Sequence, residues 1–383
     1  MAISEPSSTT RTRPWDLGLF LLTLFLGLAL IVAGALQGRF DALWQAGWPE
    51  RLRSGALASQ LNHSLPKLAA LESWARWHRQ GAYLLAGSYG VQVRQGCEGW
   101  LFLQEEIQAA ARPEVNMRQR VEMVGNVARA LSQHQVSLIV LMVPDKSRIV
   151  AQAGCGLPRP ASYRQRLSVW NAALGSQGVR VVDATQPLAQ LAGQGKDTYW
   201  RLDSHWTQAG AAAAAQHVAH ALRTAGVLPA PELRSQALAD PPRERAGDLI
   251  RLAGLDSLAA RWLPAPDVET PVRFRHASIV STEKTDQDLA AELFGDSVRP
   301  PVVLVGTSFS HAADFEGFLS QSLALPIINL ARDGGGMSQA MQAYLEPGQE
   351  QRIWPSVLIW EIPERYIQTP LSESETAWLK SLG

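Results

Sequence analysis

Apolar and polar residues alternate along this chain in blocks that switch between a helical and a strand-like period. Residues 117–134 carry apolar positions at helical spacing, and residues 136–143 form an unbroken apolar run ending at Pro144-Asp145-Lys146. An apolar run of that length, rich in β-branched residues, predicts a strand buried on both faces. The pattern then predicts a helix over 163–174, a short strand over 179–182, a helix start at 187–191 and a strand over 199–202. An alanine-rich helix follows over 207–224, with Thr207 as its N-cap.

Residues 229–298 have little periodicity and much Pro, Arg and Asp, and read as a long connection with a strand near 274–281. Buried-strand patterns return at 301–305, 327–330 and 357–360. Helical patterns follow Gly306-Thr307-Ser308-Phe309-Ser310 and cover residues 337–344. Strands alternating with helices predict an α/β fold with a mainly parallel sheet flanked by helices. Such sheets bind ligands beyond the carboxyl ends of their strands.

The amino-terminal pattern is different. Residues 17–36 run twenty positions without a charge. As a helix they match the roughly 30 Å hydrocarbon core of a bilayer. Arg11 and Arg13 precede them, which puts residues 1–16 in the cytoplasm and the remainder on the far side of the membrane. A cleaved signal peptide ending at Ala33-Gly34-Ala35 is the competing reading; an uncleaved anchor is expected because the run exceeds a signal's usual apolar stretch. Residues 37–95, with Trp44, Trp48, Trp74 and Trp77, read as amphipathic helices leading to a domain over 96–370 and a tail over 371–383.

Charge narrows the function classes. Thirty-five basic and thirty-five acidic residues leave a net charge of +0, which does not suggest nucleic-acid binding. The two cysteines, Cys97 and Cys155, form no metal-ligand spacing. A single bridge in an oxidising compartment and two buried thiols both remain open. His217 and His220 lack a third ligand, so no metal site or cofactor is expected.

Candidate chemistry begins at Asp203-Ser204-His205-Trp206-Thr207. On an extended strand, residues two apart share a face, so Asp203 can orient the His205 ring and leave its other nitrogen as a base. The nucleophile expected for this pair is Ser308, at a strand-to-helix junction where Gly306 permits a tight turn. Backbone N–H groups around Thr307 and Ser308 are there to stabilise an oxyanion. Asn329 and Arg332, at the next strand end, are candidates for a second oxyanion donor or a substrate contact, near Gly334-Gly335-Gly336, a run that lets backbone approach closely. Trp206 either walls the pocket or packs the helix start. Competing arrangements are weaker: Gly295-Asp296-Ser297 follows a helix-like segment, and His311 and Asp314 read as helix-surface residues.

Taken together, Asp203 to Thr207 and Val305-Gly306-Thr307-Ser308-Phe309-Ser310 resemble the periplasmic alginate O-acetyltransferase family, which includes alginate and bacterial-cellulose acetylation types. Glu98 to Leu103, Val143 to Val150, Gly247-Asp248-Leu249 and Ile359 to Tyr366 support the resemblance, which covers roughly residues 95–370. It implies an SGNH-hydrolase-like domain with Asp203, His205 and Ser308 as its triad. It also implies acetyl transfer to hydroxyls of an exopolysaccharide, with acetyl supplied by a membrane-bound O-acyltransferase partner, and a periplasmic domain anchored in the inner membrane. An acetyl esterase with the same triad and a non-catalytic polysaccharide-binding scaffold are the alternatives.

Overall fold

The computed structural model describes residues 69–97, 99–278, 301–346 and 354–382, with single positions between 18 and 32. The chain divides into two units, Met1–Ser88 and Tyr89–Gly383. In the first, helix α1 (Ala69–Ala86) carries exposed Trp74 and Trp77. The expected tail at 1–16, most of the expected span at 17–36, and Trp44 and Trp48 lie outside the described residues. Among the described residues no helix is long and apolar enough to cross a membrane.

The second unit opens with an antiparallel pair, β1 (Val93–Gln95) and β2 (Leu101–Leu103). Then come α2 (Pro113–Ser132), β3 (Ser137–Val143), the single turn α3 (Lys146–Ile149), α4 (Arg166–Ser176) and β4 (Arg180–Asp183). Helices α5 (Thr185–Gly193) and α6 (Gln208–Thr224) follow. The next segment holds β5 (Leu233–Ala239), β6 (Arg243–Arg245), α7 (Asp248–Leu252), β7 (Asp267–Glu269) and β8 (Val272–Ser278). The chain closes with β9 (Val302–Val305), α8 (Phe315–Leu323), β10 (Ile327–Asn329), α9 (Gln339–Tyr344), β11 (Val357–Pro363) and α10 (Glu373–Leu382).

Five strands form one parallel sheet in the order β10-β9-β11-β3-β4. Alternate side chains on each strand face opposite ways, which divides the core in two. Ile139, Leu141, Leu304 and Ile359 pack with α6 and α8, whereas Leu138, Val140, Val305, Leu358 and Trp360 pack with α2, α4 and α9. Small residues on α6 (Ala211, Ala214, Ala215, Ala219) are fully buried, so this helix packs closely. Thr207 caps it, its hydroxyl oxygen accepting the Gly210 N–H.

From the sheet centre the chain steps outward to β4 on one side and to β10 on the other. The strand order therefore reverses between β3 and β11, the place where open α/β sheets form their crevice. The carboxyl ends of β3, β9 and β11 hand over there to Asp145-Lys146, Thr307-Ser308 and Glu364-Arg365.

Three expectations change. Residues 199–202 are not a strand; a single antiparallel bridge, Tyr199 to Trp206, closes a bend that contains Asp203 and His205. Within the expected connection over 229–298, the described residues up to Ser278 include two antiparallel ribbons, β5 with β8 and β6 with β7. Phe274 packs edge-on against Phe318 of α8, and the Glu232 and Leu233 amides donate to the Ala324 carbonyl, so the larger ribbon is docked, not loose. Periodicity was weak there because a two-stranded ribbon with much of its surface in water needs few apolar positions. The expected tail at 371–383 contains α10, which packs Trp378 and Leu382 on the core and pairs Glu375 with the buried Arg120 of α2 at 3.1 Å. Cys97 and Cys155 form a disulfide. Gly295-Asp296-Ser297 lies outside the described residues.

Candidate active site

Ser308 opens a short 3-10 turn directly after β9. The turn is organised from below by Glu361, a fully buried carboxylate in the middle of β11. Glu361 accepts the Thr307 N–H at 2.7 Å, the Thr307 hydroxyl at 2.9 Å and the Ser310 hydroxyl at 3.1 Å. Burial pushes this carboxyl above its ordinary range, and these hydrogen bonds oppose the push. Gly306 is needed for a reason other than turn geometry. Its φ lies outside the left-handed region, but a Cβ there would meet Glu361 Oε2 at 2.6 Å and Ser310 Oγ at 2.9 Å.

The Asp-x-His pair is brought to Ser308 by its bend. Asp203 Oδ1 accepts the backbone N–H of His205 at 2.9 Å, an Asx-turn, and Nδ1–H of the same residue at 2.7 Å. His205 Nε2 stands 2.7 Å from Ser308 Oγ. The structure thus joins Asp203, His205 and Ser308 in one hydrogen-bonded line. Burial by itself opposes ionisation of Asp203, but His205 and Arg245 hold its carboxyl well below the ordinary carboxylate range.

The bend is braced on its far side by Lys146. Its ammonium group is buried and donates to the carbonyls of Leu101 at 2.6 Å, Arg201 at 2.9 Å and Asp203 at 3.0 Å. Burial lowers this lysine to about 8 despite the surrounding carboxylates. Beside it, Glu364 accepts from Arg148, Arg159 and Arg166, and Asp145 accepts from Arg159 and Arg166. Burial opposes ionisation of Glu364, and the three guanidinium groups overcome it and hold the carboxyl down. This network ties the ends of β3 and β11 together.

Gly247 approaches the bend so closely that a Cβ would meet the Leu202 carbonyl oxygen at 1.9 Å. The contact delivers Asp248, whose carboxylate accepts the Ser204 N–H at 2.7 Å and the Ser204 hydroxyl at 2.6 Å. Asp203, His205 and Asp248 each offer one ligand atom within 4.8 Å of the others, the one such metal-compatible group among the described residues. Both nitrogens of His205 and both Asp203 oxygens already have protein partners, so an ion there would have to break the Asp203–His205–Ser308 line.

Asp203, His205, Thr307 and Ser308 line an open cleft of about 1330 Å³, together with Arg245, Asp248, His311 and Arg365. Four sequence candidates do not line it: Gly306, which lies beneath the serine turn against Glu361, and Trp206, Asn329 and Arg332. Trp206 is fully buried, in ring contact with Phe309 at 5.1 Å and Phe315 at 4.7 Å, so it packs the start of α6. The Asn329 amide donates to the Ser310 carbonyl and to Glu316, each at 3.1 Å, and its oxygen accepts the Ala331 N–H. It braces the serine turn. Arg332 donates its backbone N–H to the Gly306 carbonyl at 3.1 Å and directs its side chain to solvent. His311 pairs with Asp333 at the cleft rim, and Asp314 accepts the Val272 N–H; neither joins the line to Ser308.

Sequence reasoning missed Arg245, Lys146 and Glu361 as parts of the site. A glutamate inside the apolar run of β11 was a visible signal, since a buried carboxylate needs donors waiting for it. Arg245 had no such signal, because it lies in the segment without periodicity.

Comparisons with known proteins place the chain in a family. Residues 93–364 match the family described as SGNH hydrolase-like domain, acetyltransferase AlgX. The chain is 32% identical over 292 residues to a "Probable alginate O-acetylase AlgJ" of Pseudomonas putida, covering 75% of this chain and 74% of the relative. It is 30% identical to the protein of the same name in Pseudomonas aeruginosa, covering 77% and 75%. Among solved structures it resembles the O-acetyltransferase domain of Pseudomonas putida AlgJ, with a TM-score of 0.65 and 28% identity over 76% of this chain and 98% of that one. Pseudomonas aeruginosa AlgX shares the fold, with a TM-score of 0.55 at 21% identity over 78% of this chain and 69% of that one. A family match over most of the chain, on a parallel sheet that brings Asp203, His205 and Ser308 together, makes this chain a member of the AlgX-type SGNH hydrolase-like acetyltransferase family.

Proposed function

We propose that this chain is an O-acetyltransferase that moves acetyl groups onto hydroxyls of an exopolysaccharide through an acetyl-serine at Ser308. The observation that carries the reading is the continuous line from Ser308 Oγ through His205 to Asp203, with both hydrogen bonds at 2.7 Å, on the wall of the large cleft. His205 Nε2 takes the Ser308 proton as Oγ attacks the acetyl carbonyl, and Asp203 orients the ring and stabilises the imidazolium. Negative charge on the former carbonyl oxygen meets the Ser308 N–H, which begins its turn and has no partner within it. Collapse of the tetrahedral intermediate expels the donor's oxygen, which receives the proton held by His205. A glycan hydroxyl then gives its proton to His205 and attacks the acetyl-serine; the acyl–Oγ bond breaks, the acetylated glycan leaves, and His205 returns the proton to Ser308 Oγ.

The relatives' names favour alginate as the acceptor. The apolar run at 17–36 and the Cys97–Cys155 disulfide support an exported, membrane-anchored domain, since disulfides persist outside the cytoplasm. In that location the acetyl group comes from a membrane-bound O-acyltransferase partner. The test is mass spectrometry of the full-length protein after exposure to an activated acetyl ester, with and without oligosaccharide. Acetyl on the Ser308 peptide and its passage to the glycan are expected, and Ser308→Ala is expected to lose at least about 10³-fold in turnover. Wild-type turnover in Ser308→Ala overturns the reading; release of free acetate with no glycan product replaces transferase by esterase.

A further inference from the structure

His205 is flanked by more charge than a triad requires. Asp203 has all four of its acceptor positions filled: Oδ1 by the His205 backbone and ring, Oδ2 by Arg245 at 2.9 Å and by the Asp248 N–H at 3.2 Å. The other arm of Arg245 donates to Glu269 at 2.8 Å, and its guanidinium lies over the Trp200 ring, so its position is fixed from two sides. The carboxylate of Asp248 stands 3.6 Å from His205 Nδ1, beyond hydrogen-bond reach. Both of its oxygens already accept from Ser204, so towards the ring it can act only through its charge.

We propose that Arg245 and Asp248 are opposed positioning residues for His205: Arg245 locks and offsets Asp203, while Asp248 adds a second negative charge behind Nδ1. The balance between them sets how readily the imidazole takes and releases the proton that moves between Ser308 and the glycan. The inference rests on the reading of His205 as the base. Other groups around the ring do not duplicate the pair. Ser308 and the Phe309 ring are neutral. Lys146 reaches Asp203 only through its carbonyl, Glu269 is paired with Arg243 and Arg245, and Arg365 lies over the Phe309 ring.

The experiment measures two things in the full-length chain and in the variants R245M, R245K and D248N. One is the NMR titration midpoint of the His205 ring; the other is the acid limb of the kcat/KM profile on an acetyl ester. Removing the cation is expected to move both up by about one pH unit or more, and removing the second carboxylate to move both down by a similar amount. R245K is expected to return most of the R245M shift. A purely structural role would lower stability or turnover without moving the two variants in opposite directions. Unchanged midpoints, or midpoints moving the same way, overturn the inference. If the midpoints diverge while turnover in the wild type proves independent of Ser308, the pairing stands and the acetyl-serine reading falls. Should R245M fail to fold, D248N decides alone: no downward movement overturns the proposal.

Discussion

Replacing Glu361 by leucine keeps much of the side-chain volume of this fully buried position in β11 but removes every acceptor beneath the Ser308 turn. Three donors lose their partner: the Thr307 N–H, which cannot rotate away, and the hydroxyls of Thr307 and Ser310. At about 1–3 kcal/mol for each buried donor left unpaired, and with hydroxyl rotation recovering part of it, the expected loss is about 3–6 kcal/mol. That is a large share of the roughly 5–15 kcal/mol by which domains are stable. Glu361→Gln should lose less, because it keeps one accepting oxygen and removes a carboxyl whose ionisation burial disfavours. Urea denaturation of the three proteins gives the ordering, wild type above Gln above Leu. Ester turnover at a temperature where all three are folded should fall about 10²-fold in the leucine variant, since a displacement near 1 Å at Ser308 suffices for that. A leucine variant within about 1 kcal/mol of wild type, with normal turnover, would refute the claim that Glu361 organises the serine turn.

Removing the disulfide with Cys97→Ser and Cys155→Ser together should cost about 4 kcal/mol, the loop-closure value for a sequence separation of 58. Denaturation midpoints with and without reductant check this, and reductant should have no effect on the double variant. Asp203 is held below its ordinary 3.8, so its contribution to stability is present above that value and lost as pH falls beneath it. The stability gap between wild type and Asp203→Asn, measured by thermal unfolding, should therefore narrow as pH is lowered from about 5 to about 2. A gap that widens on acidification would show that this carboxyl is not stabilised in its charged form.

The strands of the parallel sheet were legible because strands buried on both faces must be apolar throughout, and residues 136–143, 301–305 and 357–360 carry that composition in any setting. Thr207 was legible as a helix cap because capping is a local hydrogen bond. Asp203, His205 and Ser308 were legible together as candidates because an acid beside an imidazole and a serine after a buried strand are uncommon enough to be noticed, and the structure brings the three into one hydrogen-bonded line. Strand alternation, which the spacing of Asp203 and His205 suggests, is not what links them. The pair is joined by an Asx-turn within a bend, and a bend closed by one bridge leaves no periodic trace.

The remaining features depend on contacts between distant segments. Trp206 is apolar enough for a pocket wall or for the core, and only the placement of Phe309 and Phe315 around it decided for the core. Arg245 and Asp248 come from a polar segment more than thirty residues beyond the bend, and they reach Asp203 because Gly247 allows backbone contact with Leu202. Lys146 serves the bend by donating to the Arg201 and Asp203 carbonyls within it and to the Leu101 carbonyl about a hundred residues earlier. Local sequence therefore settled the elements and the chemical types at the strand ends, because propensity, capping and burial act over a few residues. The tertiary structure settled which charges surround His205 and what holds Ser308, because charge and hydrogen bonding act across space without regard to separation along the chain.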